Sequence, residues 1–380
     1  MERMRNPFRA TFGTTPPLLV GRDVLIKDFG FALDNGPGTH ERTSLIIGAR
    51  GIGKTVLLNA FEDCAEQRGW RIIDETATPG FVDRIRDRII KILASDKKTL
   101  TGLNLTIFNL GLGLNWETRA LHETTYTLRD AIEDLLVYQH SIDKKMKQEP
   151  TGLLITLDEI HHLRRDEVFD FSATIQHIMR REGEIAVAMA GIPSAIRPLL
   201  ASDNDANPVT FLRRANRIVL EKVSDAEVRV ALNDPVKELG VEWDQTALKY
   251  AVKACAGYPF MIQLVGQAAF HMRENQSISV EAAEQSIQRA RRKLGQLVHE
   301  PALSDLSYTD RAFLACMAQD DGPSQLTDIA QRLGKTAQYI SNYRRRLINA
   351  EMITPTANKG EIDFSLPYLR DYLREYAVDL

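Results

Sequence analysis

Gly48-Ala49-Arg50-Gly51-Ile52-Gly53-Lys54-Thr55 is the stretch that decides the fold. It fits G-x-x-x-x-G-K-[ST] at every fixed position. The apolar run Leu45-Ile46-Ile47 precedes it, and a helical pattern from Val56-Leu57-Leu58 through Phe61 follows. Strand, glycine-rich loop and helix together are the context of a phosphate-binding loop. Glycine lets the backbone curl so that successive N–H groups point at phosphate oxygens, and the N-terminus of the next helix favours anions. Gly48, Gly51, Ile52, Gly53, Lys54, Thr55 and Val56 are therefore candidate nucleotide-binding residues. Lys54 is expected to reach the β- and γ-phosphates and Thr55 to place its hydroxyl on Mg²⁺.

Around this loop, 380 residues leave room for about two or three domains with real cores. A 44% hydrophobic and 26% charged composition is that of an ordinary globular protein. The net charge of −3 excludes a chain that binds polyanions as a whole, so any nucleic-acid surface must be local. Cys64, Cys255 and Cys316 lie far apart in apolar helical patterns and read as small buried hydrophobes in a reducing compartment. The N-terminus lacks the apolar core of a signal peptide, and no apolar run reaches the ~18 residues of a membrane span. The expectation is a cytoplasmic protein without a membrane partner.

The pattern before Ser224 alternates strands and helices. Strands are expected at 43–47, 70–73, 151–157, 185–190 and 217–220, with helices over 23–33, 56–68, 81–94, 125–148 and 166–181. This predicts an α/β fold, a parallel sheet with helices on both faces. Residues 101–116 carry two period-two runs, Leu103 to Ile107 and Leu110 to Trp116, and read as an inserted β-hairpin, either a sheet-edge cap or an interaction surface. From Ser224 the strands stop. Ser224-Asp225-Ala226-Glu227 caps the first of four helical patterns, and Gly295 to Ser307, with Pro301, reads as a linker. The expected domains are a core over 1–222, a helical lid over 223–300 and a separate unit over 301–380.

Thr151–Leu157 ends in Asp158-Glu159. A carboxylate at that strand end, here Asp158, suits Mg²⁺, and the adjacent Glu159 suits orienting and deprotonating a water. At this point the chain resembles a known family. Gly48–Thr55 looks like a Walker A motif and Leu153–Glu159 like a Walker B motif. Gly21-Arg22-Asp23 resembles the Gly-Arg-Asp/Glu box of the initiator-type (Orc1/Cdc6-like) AAA+ and STAND ATPases, and Gly257-Tyr258-Pro259 resembles their Gly-x-Pro motif. The resemblance covers about residues 15–355. It implies a P-loop NTPase core and a helical lid with ATP or ADP between them, and it adds Gly21, Arg22 and Pro259 to the nucleotide-binding set. Two positions depart from the pattern. Ile185–Ala190 runs into Gly191-Ile192-Pro193 where a polar sensor is usual, with Ser194 the first polar candidate, and Phe260 stands where an arginine often follows Gly-x-Pro. Both departures imply slow hydrolysis.

Phe211-Leu212-Arg213-Arg214-Ala215-Asn216-Arg217 stands where this family often places an arginine finger. A finger acts on a neighbour's γ-phosphate, so Arg213 or Arg214 in that role implies a homo-oligomer or a partner protein. Pairing of both with acidic surface residues is the equal alternative. His161 and His162 lack a third ligand at sensible spacing and do not read as a metal site.

In the last unit, Tyr308–Met317, Leu326–Leu333 and Ala337–Ala350 are helical, with Gly334 in a short turn between the second and third. Ile340, Tyr343, Leu347 and Ala350 share one face of the third helix; Gln338, Ser341, Asn342 and Arg345 lie opposite. From Lys335 to Asn349 there are four basic residues and no acidic one. Ile353 to Phe364 reads as a hairpin with its tip at Asn358-Lys359-Gly360. The unit resembles winged helix-turn-helix DNA-binding domains, with Lys335, Gln338, Ser341, Asn342, Arg344 and Arg345 as candidate contacts to double-stranded DNA. The whole chain is thus expected to be an ATP-dependent DNA-binding AAA+ ATPase. The alternative is a STAND-type switch whose winged helix makes protein contacts.

Overall fold

The computed structural model describes residues 4–376 apart from residue 12 and the segments 102–125, 161–164, 194–195 and 197–209. The expected hairpin over 101–116, and His161, His162 and Ser194, fall outside the described residues.

After an extended N-terminal segment come α1 (Asp23–Asp34), β1 (Thr43–Ile47), α2 (Lys54–Glu66), β2 (Arg71–Thr76), α3 (Phe81–Thr101), α4 (Leu128–Met146), β3 (Leu153–Asp158), α5 (Arg165–Arg180), β4 (Ile185–Gly191), α6 (Thr210–Arg213) and β5 (Asn216–Val219). The strands form one parallel sheet in the order β2-β3-β4-β1-β5. The continuous apolar runs of β3 and β4 occupy its centre, as strands covered on both faces must. Alternate residues point to opposite faces. Leu45, Ile155, Val187 and Met189 meet the layer of α3, α4 and α5, whereas Ile46, Leu154, Ala186 and Ala188 meet α1 and α2. The alanines on the second face let α2 lie close to the sheet, which sets the loop that opens α2 directly over the strand ends.

Beyond the sheet follow α7 (Asp225–Lys237), β6 (Glu242–Trp243), α8 (Gln245–Cys255), α9 (Pro259–Met272), β7 (Ser277–Ile278) and α10 (Val280–Leu294). Ser224, Asp244 and Ser279 accept backbone N–H groups at the starts of α7, α8 and α10, so local side chains fix where these helices begin. Strands do not stop at Ser224: β6 and β7 pair in parallel. Two residues are too short to register as a period-two pattern.

The expected linker is helical. α10 passes through a π-turn, Gly295–His299, into α11 (Glu300–Ser304), with Pro301 in its first turn. Gly295 reads as a breaker in sequence, yet here it has helical geometry and makes room for a ring. A Cβ on it would lie 2.7 Å from Tyr372. The remaining elements are α12 (Tyr308–Ala318), β8 (Ser324–Gln325), α13 (Leu326–Leu333), α14 (Ala337–Asn349), β9 (Ile353–Pro355), β10 (Glu361–Phe364) and α15 (Leu369–Tyr376). β8, β10 and β9 form an antiparallel sheet. Gly334 closes α13 in the left-handed region and Thr336 caps α14. Among the described residues no helix is long and apolar enough to cross a membrane, and all three cysteines are buried thiols.

Candidate nucleotide-binding site

The loop between β1 and α2 is tightly wound. Gly51 and Gly53 have φ of +74° and +99°, backbone that other residues adopt only under strain. Gly53 is the residue before the first turn of α2. Lys54 folds back and donates to the carbonyls of Gly48 at 2.8 Å and Ala49 at 3.1 Å, holding the curl closed. It is only 7% exposed. Burial pushes its ammonium below lysine's ordinary range, while the carboxylates of Glu351, Glu159 and Asp158 pull the other way.

Thr55, on the first turn of α2, donates from Oγ1 to Asp158 Oδ2 at 2.5 Å. β3 delivers Asp158 at its last residue, and the chain then turns sharply, with Glu159 at φ +57°. The Glu159 N–H donates to Asp158 Oδ1 at 2.8 Å. The two oxygen donors expected to hold Mg²⁺ are therefore together, with Glu159 beside them. Hard oxygen donors of this kind fit a magnesium ion. β4, which lies between β1 and β3, ends in Met189, Ala190 and Gly191 without a polar side chain.

Lys54, Thr55 and Glu159 open on a cavity of about 450 Å³ between the sheet and the helical region. Its lining is both polar, with Arg50, Lys54, Thr55 and Glu159, and apolar, with Leu19, Val20, Val56, Val223, Phe260 and Ile262. Arg22 lines the same cavity, and Gly21 is the residue between it and Val20. Gly21 is in the left-handed region and pressed against Glu227, so a Cβ there would sit 2.6 Å from that carboxylate. Arg22 donates to the Glu221 carbonyl at 2.7 Å, and its burial lowers its pKa. Pro259 starts α9 at the cavity.

Two parts of this wall are not legible as motifs. The N-terminal segment crosses α9, with Phe8 seated on Gly266 and the Arg9 N–H bonded to Gln263 Oε1 at 3.0 Å, and it supplies Arg9, Thr11 and Thr14 to the cavity. Tyr258, the variable residue of Gly-x-Pro, is 2% exposed. Its hydroxyl donates to the Arg50 carbonyl at 2.5 Å and lies against Gly51, where a Cβ would come within 2.1 Å of it. An aromatic residue between glycine and proline is the only sequence signal for that contact.

The comparisons with known proteins bear on this geometry. Residues 38–200 match an AAA domain. That stretch contains the phosphate loop, Asp158, Glu159 and β1 to β4. Residues 296–373 match a family described as "Domain of unknown function (DUF8462)". No curated protein matches. Among solved structures, the Walker-type ATPase PABY2304 of Pyrococcus abyssi is similar over 94% of this chain and 96% of its own, at 14% identity and a TM-score of 0.66. The RuvB Holliday junction branch migration motor of Thermotoga maritima aligns over 93% and 95% at 17% identity, with a TM-score of 0.45. Cdc6p from Pyrobaculum aerophilum aligns over 96% of both chains at 14% identity, with a TM-score of 0.44. At such identities the Pyrococcus likeness speaks for the fold, a P-loop NTPase core with helices, and for nothing finer.

The other candidate residues lie elsewhere. Arg213 is half-buried at the end of α6, with Nε and Nη2 buried and lacking a hydrogen-bond partner among the described residues. Arg214 is exposed, and its carbonyl meets His40 Nε2 at 2.8 Å. Neither forms an ion pair with a described residue. Lys335, just before α14, and Gln338, Ser341, Asn342 and Arg345 on it are exposed, while Ile340 and Leu347 are buried on its other face. Lys335 lies over the Tyr339 ring at 5.3 Å, and Arg345 donates to Asn342 Oδ1 at 3.3 Å. Arg344 is half-buried with its Nε sequestered, and Arg346 pairs with buried Asp310 at 2.7 Å. Ala350, grouped with the apolar face in sequence, is exposed at the helix end.

Proposed function

We propose that this protein binds ATP with Mg²⁺ between its core and its helical lid, hydrolyses it slowly, and uses the nucleotide state to control a DNA-binding winged helix. The observation that carries the reading is that Lys54, Thr55 and Glu159 line one cavity, with Asp158 bonded to Thr55, and that apolar side chains suited to a base line the same cavity. The loop amides and Lys54 would hold the β- and γ-phosphates. Thr55 and Asp158 would hold Mg²⁺, which when bound neutralises phosphate charge. Glu159 would take a proton from water as its oxygen bonds to the γ-phosphorus and the bond to the ADP oxygen breaks. The missing polar residue at the end of β4, and Phe260 in place of an arginine, remove two aids to that step and favour a slow switch. The exposed Arg214 would serve a neighbouring copy's γ-phosphate if the protein assembles.

The winged-helix reading is supported by α13, the Gly334 turn and α14, followed by the β9–β10 hairpin, and by an acid-free exposed face on α14. Division into a core over 1–222, a lid over 223–300 and a winged helix over 301–380 follows the same reading, with a helical rather than a flexible junction. The test is duplex DNA binding by fluorescence anisotropy with ATP, ADP or no nucleotide at two salt concentrations. Salt-dependent binding that shifts with nucleotide and is lost in Arg344→Ala/Arg345→Ala is expected. Equal binding by the double variant sinks the recognition-helix assignment. One observation favours the second reading, a STAND-type switch with protein output: the C-terminal unit is packed against the lid and the loop. Absence of DNA binding in every nucleotide state selects it.

A further inference from the structure

Tyr258 touches the phosphate loop without lining its cavity. Arg50, Gly51, Ile52 and Gly53 line the cavity, and the Tyr258 hydroxyl meets the loop at the Arg50 carbonyl, 2.5 Å away. The root of the ring is fixed. Gly257 is in the left-handed region at φ +69°, and a Cβ on it would lie 2.4 Å from the Val223 carbonyl. The Val223 N–H donates to the Gly257 carbonyl at 2.9 Å, and the Tyr258 N–H donates to the Cys255 carbonyl at 2.9 Å. Burial raises the pKa of the phenol, so at neutral pH it stays protonated and can donate.

The Arg50–Gly51 peptide needs such a hold. Glycine takes positive and negative φ about equally well, so the backbone at Gly51 does not by itself choose which way this peptide faces. Lys54 does not choose it either, since its ammonium is bonded to the carbonyls of Gly48 and Ala49. The tyrosine hydroxyl does. The peptide is trans, so its C=O and N–H point in opposite directions. With the carbonyl turned to Tyr258, the Gly51 N–H is turned away from it, at a residue that lines the cavity. We propose that Tyr258 is a positioning residue of the nucleotide site. Through the Arg50 carbonyl it fixes the Gly51 N–H for a phosphate oxygen, and so sets how strongly the site prefers a phosphorylated nucleoside to the bare one. The inference rests on the nucleotide-binding reading above and deepens it.

The experiment is displacement of a fluorescent ADP from the full chain by ADP, by adenosine and by pyrophosphate, in the parent and in Tyr258→Phe. The variant keeps the buried ring and removes one hydroxyl. Its affinity for ADP and for pyrophosphate is expected to fall about tenfold while that for adenosine stays within about twofold. Retained adenosine binding shows that the variant is folded. If it folds poorly, the same affinities are read in sucrose, which favours the compact state. Equal losses for adenosine and ADP are what a merely structural role produces, and they overturn the inference. So do unmoved affinities in the variant when the parent prefers ADP to adenosine, and in that case the nucleotide reading itself stands. A parent that binds neither ADP nor pyrophosphate brings down both readings.

Discussion

The phosphate loop and the exposed face of α14 are built in opposite ways. In the loop, few atoms are free to move: Lys54 is tied to two carbonyls, Thr55 to Asp158, and the Arg50 carbonyl to a tyrosine 208 residues away. On α14 the packing face is fixed by Ile340 and Leu347, and the side chains opposite stand in water with only local contacts such as Arg345 to Asn342. The difference teaches what each can do. A preorganised loop can hold charge at set distances and support chemistry. A solvated cationic face can grip a polyanion through many weak contacts, each dispensable.

That contrast makes predictions of decreasing size. Lys54→Ala is expected to abolish nucleotide binding, with no saturable signal in calorimetric titration at millimolar ATP; retained binding would break the claim that the loop acts as a unit. Glu159→Gln is expected to bind ATP as the parent does and to lower turnover by a factor on the order of 10³, measured as phosphate release. Unchanged turnover removes Glu159 from the role of base.

The next concerns the seam between the helical region and the C-terminal unit, where His299 bonds the Pro367 carbonyl at 2.9 Å. Burial holds the His299 imidazole down at about 4, and its Nδ1 has no hydrogen-bond partner among the described residues. With the folded value below the unfolded one of 6.5, the neutral ring's stabilisation is present above pH 6.5 and is lost as pH falls toward 4. The parent is expected to lose up to about 3 kcal/mol more than His299→Gln over that window, in denaturant titrations at each pH. Equal losses would mean that His299 is hydrated and the seam loose. The smallest effect is expected on α14: Arg345→Ala should weaken DNA binding only a few-fold and lower the salt slope by about one contact. An all-or-none loss there would mean that this face is organised like the loop after all.

Legibility follows the same division. The loop, the Asp158-Glu159 pair and the strand–helix alternation are written in contiguous residues, where composition and period suffice to read them. Ser224 and Gly334 mark helix ends by local chemistry, and the structure has them in those places. Gly295 and Pro301 misled because a glycine that breaks a helix and a glycine that admits a neighbouring ring look alike until Tyr372 is in place.

By itself the sequence determined that a phosphate-binding loop is followed by a helix, that an acidic pair ends a buried strand, and that a helix with one apolar and one cation-bearing face lies near the C-terminus. Each is a property of neighbouring residues, set by backbone preference and periodicity. Only the tertiary structure decided that Asp158 meets Thr55, that Tyr258 braces the loop at Arg50, and that Asp305 lies 3.7 Å from Arg50. Those pairings depend on how helices stack across one shared core. Whether two side chains distant in sequence meet is settled by that stacking, which no local pattern records.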